Sequence, residues 1–415
     1  MKVFKFGGAS VKDASGVQNL AAIIKQQSEK LFIVVSAIGK TTNAMEGVLD
    51  SYMRFDVEES LGRFGAVREN HDRLLQDLFG SADISSVKVL YAQVEDYLRA
   101  DGRRDDYDLA YDALVSYGEL LSTTIISEYL NHDGLSSQWL DMRDCIVTDA
   151  RHREADVNMA LSTERLISKL SQEHSIYVGQ GFIGATKAGV PTTLGREGSD
   201  YSAAVVGVIL GAESVTIWKD VPGVMNADPR RFVDAVHIPQ LSYQDAVELA
   251  YSGASVIHPK TIKPLHNSKI PLYVRPFMSP KDAGSVISAG ASRISIPVYI
   301  VKSKQVLVTI KPKDFSFVIE ERLSDIFRIF NLYRIKINLI QSSAIKLSVS
   351  IDDSRYLERL CDDLGADFKV WYNKNLELLT VRGFDNSASC LENIGRCGEV
   401  LLEQSTRSTR RILYR

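Results

Sequence analysis

Apolar and polar positions follow two different rhythms along this chain, and the rhythm changes near Arg293. The first forty residues predict a β-turn-α-β unit. Val3-Phe4-Lys5-Phe6 reads as a strand, Gly7-Gly8 as a tight turn, and Val17, Leu20, Ala21 and Ile24 recur at helical spacing. Ser10 and Asp13 have capping-box spacing at the start of that helix. The run Leu31-Phe32-Ile33-Val34-Val35 is apolar without a break, which predicts a strand buried on both faces of a parallel sheet. From about Ser51 to Asn131, charge on one face and Leu, Tyr, Val or Ala on the other predict helices. Strand-like segments return at Ser175–Val178, Thr192–Leu194, Val215–Trp218 and Ile270–Val274, with helical stretches between them. Strands alternating with helices predict an α/β fold, an αβα sandwich on a mainly parallel sheet.

Beyond Arg293 the stretches are short and β-rich: Gln305–Ile310, Asp314–Ile319, Ile335–Gln341 and Ala344–Ile351, with an amphipathic helix at about Glu321–Asn331. A helical stretch, Ser354–Leu364, and a strand, Phe368–Tyr372, complete the order of a ferredoxin-like split βαβ module. Leu376–Val381, a helical stretch Ser387–Arg396, Val400–Gln404 and Arg411–Tyr414 remain for a second, shorter unit. The expected domains are 1–293 and 294–415.

Composition changes this picture little. At 415 residues the chain exceeds what one core usually organises. A net charge of −3 from 49 basic and 52 acidic residues argues against nucleic-acid or membrane-surface partners. Cys145, Cys361, Cys390 and Cys397 form no C-x-x-C pair, so neither a disulfide framework nor a metal site is expected. Without a signal peptide or an apolar run of membrane length, the expectation is a soluble, cytoplasmic protein.

Two familiar nucleotide signatures are decoys. Gly179-Gln180-Gly181-Phe182-Ile183-Gly184 satisfies G-x-G-x-x-G, but Gly189 and Pro191 predict a hairpin where a dinucleotide site needs a helix. Gly39-Lys40-Thr41 resembles the end of a P-loop, yet Val34 stands where the required glycine would be.

Three other segments suit an anion or a carboxylate. Lys5-Phe6-Gly7-Gly8 places a mobile cation beside a turn whose backbone can approach a phosphate; by itself it is equally a Gly-Gly turn with a surface lysine. Thr193 to Ala203 runs from a strand through a glycine-rich turn into a helix predicted over Ala203–Leu210. It offers Arg196 as a planar fork, with Ser199 and Asp200 at the helix start. On the plainer reading those two are N-caps. The helix around Tyr117-Gly118-Glu119-Leu120 puts Ser116, Glu119 and Ser122 on one face, where a carboxylate can hold an ammonium or simply face water.

In this order and spacing the segments resemble the aspartate kinases of the amino acid kinase superfamily. The resemblance is carried by Lys5-Phe6-Gly7-Gly8, Val35-Ser36-Ala37 with Thr42-Asn43, Gly118 to Ser122, and Gln180 to Gly184. It continues through Thr193 to Asp200, Asp220-Val221-Pro222-Gly223, Asp228-Pro229-Arg230 and Gly253-Ala254 to Pro259. It implies that Lys5, Gly7 and Gly8 hold the transferring phosphoryl group of Mg·ATP, Lys5 and Asp200 being the catalytic pair. It implies that Thr42, Glu119, Arg196 and Ser199 bind L-aspartate, Glu119 on the ammonium and Arg196 on the α-carboxylate. Lys219, Asp220, Met225 and Arg230 would line the nucleotide. Lys219, Met225 and Ser255 depart from the family's usual threonine, tyrosine and lysine, departures that bear on the adenine side.

The C-terminal part, especially Ile335 to Ser343, resembles the paired ACT domains of these kinases. That implies a homodimer through those domains and a lysine or threonine effector near Asn338, Ser342 and Ser343. Asn338 stands where the family often has Asp. Alternative readings are a non-catalytic amino-acid sensor, or a related kinase acting on glutamate, N-acetylglutamate or a nucleoside monophosphate.

Overall fold

The computed structural model describes residues 1–100, 106–253, 257–290, 294–314, 320–383 and 398–415. They divide into two compact units. The first holds Met1–Val224, His237–Val247 and the described part of the stretch up to Arg293; the second holds Met225–Val236, the described residues from Glu248, and the chain from Ile294 onward.

An eight-stranded sheet organises the first unit, in the order Gln240–Ser242, Ser285–Ser288, Leu272–Pro276, Ser214–Lys219, Lys2–Phe6, Leu31–Val35, Ile176–Gln180, Ser137–Leu140. Every neighbouring pair is parallel except Leu272–Pro276 with Ser285–Ser288. All five residues of Leu31–Val35 are buried, as the unbroken apolar run predicts. Each such side chain contributes about 2 kcal/mol by leaving water. The registers Phe6↔Val35, Phe6↔Trp218 and Val35↔Gln180 bring four inner strands to an end in line. Gly7, Ser36, Gly181 and Lys219 therefore emerge together at the carboxyl edge, where parallel sheets bind ligands.

The long helical run appears as Thr41–Met53, Val57–Phe79, Ser85–Arg99 and Tyr107–His132. The first helix, Ala14–Lys25, corrects the capping expectation: Asp13 itself is the N-cap and accepts from the Gly16 N–H at 2.9 Å. Ile183–Thr186 and Pro191–Thr193 form the expected antiparallel hairpin. The glycines of the G-x-G-x-x-G motif serve packing instead of pyrophosphate: a Cβ on Gly181 would lie 2.4 Å from the Ser199 Cβ.

In the second unit, six antiparallel strands run in the order Ile337–Ser343, Lys346–Asp352, Val298–Pro312, Phe368–Arg382, Thr409–Tyr414, Val400–Ser405. The helices Glu320–Leu332 and Leu357–Leu364 pack Ile326, Phe330, Leu357 and Leu360 against Val308 and Val349. The βαββαβ order is the ferredoxin-like one, so the expected fold class is borne out. Val298–Pro312 and Phe368–Arg382 are each 15 residues long, where short separate strands were expected. Lys304 and Asn375, at φ 55° and 59°, sit at the irregularity between Lys302 and Leu307 and bend the pair without ending it. Most of the strand expected at Asp314–Ile319, and the helix Ser387–Arg396, lie outside the described residues. Among those described, no helix is long and apolar enough to cross a membrane.

Candidate active site

Lys5 points from the end of its strand into an ion pair with Asp200, Nζ to Oδ1 at 2.7 Å. Lys219 ends the adjacent strand and lies 3.3 Å from the other carboxylate oxygen. Asp200 reaches them from the first turn of the helix Gly198–Ile209, which begins five residues before the predicted start. The chain enters it through Glu197 in the left-handed region, φ 52° and ψ 30°. A Cβ on Gly198 would meet Phe182 Cδ2 at 2.6 Å, so only glycine lets the helix start here. Ser199 and Asp200 are thus inside the helix and are not its caps. Burial, the largest influence on Asp200, opposes its charge; Lys5 and then Lys219 more than offset it, holding the carboxyl below its usual range.

Glu119 lies midway along Tyr107–His132 and is 3% exposed. Gly118 brings the helix against the 36–41 turn: a Cβ there would stand 3.3 Å from Thr41 Cγ2 and 3.4 Å from Ala37 Cβ. Ser122 Oγ donates to the Ser36 carbonyl at 2.7 Å and fixes the same contact. Burial pushes the Glu119 carboxyl up to about 8, although Lys5 and the Ala37 N–H favour its charged form. Its Oε2 is buried without a hydrogen-bond partner. Thr42, half-buried, is the second residue of Thr41–Met53, a helix whose N-cap, Lys40, makes no side-chain capping bond.

Two turns before Glu119, the buried Asp112 gathers a cluster that the sequence reading missed. It accepts from Thr193 Oγ1 at 2.6 Å and from the Arg153 N–H at 3.1 Å, and lies 2.8 Å from His152 Nδ1. The Ala155 N–H donates to the Thr193 carbonyl at 2.9 Å. This ties the helix to the 151–155 loop and to the strand that leads to Arg196, which is itself exposed. The available signal was an Asp set among Tyr111, Ala113 and Leu114 on a buried helix; its partners are distant in sequence.

Asp220 is exposed at the head of the next loop. That loop is pinned by the Val224 N–H donating to Ser285 Oγ at 2.8 Å, while Ser285 Oγ donates to the Ile238 carbonyl at 2.6 Å. Lys219, expected with the adenine-side departures, has its ammonium on Asp200. Met225 and Arg230 belong to the second unit, where Arg230 is bidentate to Asp228 at 2.9 and 3.0 Å. There too, Asn338 Nδ2 donates to Gln305 Oε1 at 2.8 Å and to Asp352 Oδ1 at 2.9 Å, and Asn338 Oδ1 accepts from Lys302 at 2.8 Å. Ser342 and Ser343 end the edge strand and are exposed. Among the described residues, no group of three or more His, Cys, Asp or Glu is placed to hold a metal ion.

A lysine beside a glycine turn, a buried aspartate bridging two ammoniums and a buried glutamate with an open oxygen make a site for a dianionic phosphate and a cationic amine. Residues 1–276 match the amino acid kinase family. The chain belongs to that family. Lysine-sensitive aspartokinase 3 of Escherichia coli is 29% identical over 94% of this chain and 88% of its own length. A bifunctional aspartokinase/homoserine dehydrogenase of Arabidopsis thaliana is 36% identical over 69% of this chain, which spans only 32% of that longer protein. The crystal structure of E. coli aspartokinase III with aspartate and ADP superimposes with a TM-score of 0.84 at 26% identity, covering 100% of this chain and 96% of that one. The same protein with lysine and aspartate gives 0.77. The aspartate-kinase resemblance read from the motifs is borne out by these relatives.

Proposed function

We propose that this amino acid kinase is an aspartate kinase, transferring the γ-phosphoryl of ATP to the β-carboxylate of L-aspartate to give ADP and 4-phospho-L-aspartate, the first step of aspartate-family amino acid biosynthesis. The observation that carries the reading is Glu119: a buried carboxyl with one unpartnered oxygen, under the influence of Lys5. A neutral or acylated amino group would leave that carboxyl uncompensated. An ammonium supplies the missing partner and favours its ionised form. This speaks for a free amino acid over N-acetylglutamate or a nucleoside monophosphate.

Thr42, Arg196 and Ser199 complete the aspartate site, with Arg196 on the α-carboxylate. Lys5, Gly7 and Gly8 hold the transferring phosphoryl, and Asp200 fixes Lys5. Asp220 attends the nucleotide. A substrate β-carboxylate with a pKa of about 3.9 is already ionised at neutral pH, so no general base is needed. Bringing two anions together in line is the task, and positioning can supply roughly 7–11 kcal/mol of it. Magnesium would arrive on the phosphates and neutralise their charge, as it usually does where a protein offers few carboxylates.

The C-terminal unit is read as an ACT pair, with residues 1–293 and 294–415 as catalytic and regulatory domains. It would form a homodimer and take lysine as its effector near Asn338, Ser342 and Ser343. The enzyme would work in the cytoplasm. An ATP-dependent hydroxamate assay with aspartate, glutamate and N-acetylglutamate tests the central claim: aspartate should turn over fastest. Equal or faster turnover of another acid, or none with any, overturns it.

A further inference from the structure

The geometry points to Lys219 as a second phosphoryl-binding cation that works with Lys5 across the shared carboxylate of Asp200, and not as a contact to the base or sugar. This deepens the kinase reading and rests on it. Lys5 and Lys219 stand on adjacent parallel strands, with Lys5 opposite Ile217 and Phe6 opposite Trp218. Lys219 thus stands two positions further along than Lys5, at the same sheet edge. The two ammoniums take different oxygens of one carboxylate, at 2.7 and 3.3 Å. With Asp200 3% exposed, its buried charge is compensated by the two ammoniums together, which draws both towards it. Both are therefore held in place before any nucleotide arrives.

Two cations against one such anion leave an excess of positive charge that Glu197, raised chiefly by burial and close enough to feel Lys219, only partly answers. A preset excess of that kind suits a group whose negative charge grows during reaction. In the transfer, a β-carboxylate oxygen of aspartate forms a bond to the γ-phosphorus. The bond from that phosphorus to the β,γ-bridging oxygen breaks, and the electron pair leaves on ADP. No proton moves. Lys5 and Lys219 would share the charge on the phosphoryl group in flight. The sequence makes this placement less expected: the resemblance puts a threonine at 219 and a lysine at 255, whereas this chain has Lys219 and Ser255.

The test compares Lys219→Met and Lys219→Gln with the unaltered enzyme. Turnover should fall roughly 100-fold with the KM for aspartate little changed, the scale of losing one preorganised donor. Calorimetry with ADP and with the non-hydrolysable imido analogue of ATP gives a readout that needs no acceptor. The analogue should weaken by about tenfold while ADP stays nearly unchanged, as for loss of a charge-assisted hydrogen bond to the terminal phosphate. Small alkylammonium ions should restore part of the turnover in Lys219→Ala. Equal weakening of ADP and the analogue, or turnover close to that of the unaltered enzyme, overturns the assignment. If the unaltered enzyme binds the analogue but phosphorylates no aspartate, the substrate reading fails while the calorimetric comparison still decides the role of Lys219. The Gln variant keeps the question answerable should the Met variant not fold.

Discussion

Each unit contains a dense cluster of polar groups built around a buried side chain, and the two clusters are finished differently. In the second unit Gln305, fully buried, accepts from Asn338 and Ser350 and donates to Asp352, and Lys302 closes on Asn338. The side chains there satisfy one another. In the first unit the cluster is left open: Glu119 and Glu197 each keep a buried oxygen without a partner, and two lysines converge on one aspartate. An unpaired buried oxygen costs about 1–3 kcal/mol. Such a cost is tolerated where a ligand repays it. The closed cluster supports a fold, and any ligand there must compete with existing bonds; the open one keeps bonding capacity unspent.

The largest test of that contrast is Lys5→Met. It should reduce turnover by about a thousandfold, as removal of the leading phosphoryl cation does, while calorimetry still detects ATP. A rate near that of the unaltered enzyme would mean the cluster is not the transfer site. Next comes Glu119→Gln, which should raise the KM for aspartate by about 100-fold with the KM for ATP unmoved, the scale of a charged hydrogen bond lost in burial.

Glu119 also gives a pH signature. Its folded pKa, about 8, lies above the ordinary glutamate value. Its contribution to stability is therefore complete below that ordinary value and lost as pH rises towards 8. Binding an ammonium there expels a proton, so aspartate affinity should rise between about pH 6 and 8. The Gln variant should show a flat profile; a flat profile in the unaltered enzyme would remove Glu119 from the ammonium role.

A smaller effect is expected from Asp112→Asn. Asp112 holds the loop and strand that lead to Arg196, so the KM for aspartate should rise by about tenfold. Turnover at saturation should stay within a few-fold, and ATP binding should be unchanged. A uniform fall in all parameters would assign Asp112 a purely structural role. Smallest for catalysis is Gln305→Ala in the closed cluster. It should lower stability by about 2 kcal/mol in thermal unfolding and leave the rate with saturating substrates alone.

Much of the fold was legible because burial on two faces leaves a plain mark, as in Leu31–Val35 and the apolar side of the helices. The start of Gly198–Ile209 was not, because Gly-Ser-Asp reads locally as a turn and only the packing of Gly198 on Phe182 makes it helical. The 15-residue strands were misread for a related reason. The exposed residues Lys304 and Asn375 look like chain breaks in one dimension, yet the neighbouring strand carries the pairing across them. In the site, Lys5, Asp200 and Glu119 stood out by motif. Asp112 with His152, and the convergence of Lys219 on Asp200, depend on the register of adjacent strands and on loops closing over a helix, which no local pattern records.

The two long strands of the second unit have a consequence for how it can be taken apart. Val298–Pro312 pairs with Lys346–Asp352 along its later residues and with Phe368–Arg382 along nearly all of its length; Phe368–Arg382 then pairs with Thr409–Tyr414 through its own later residues. Each half of the sheet borrows its middle from the same two pieces of backbone. A truncation or nick that removes one half takes part of the other's hydrogen bonding with it. The unit is two modules by pattern and a single indivisible piece by mechanics.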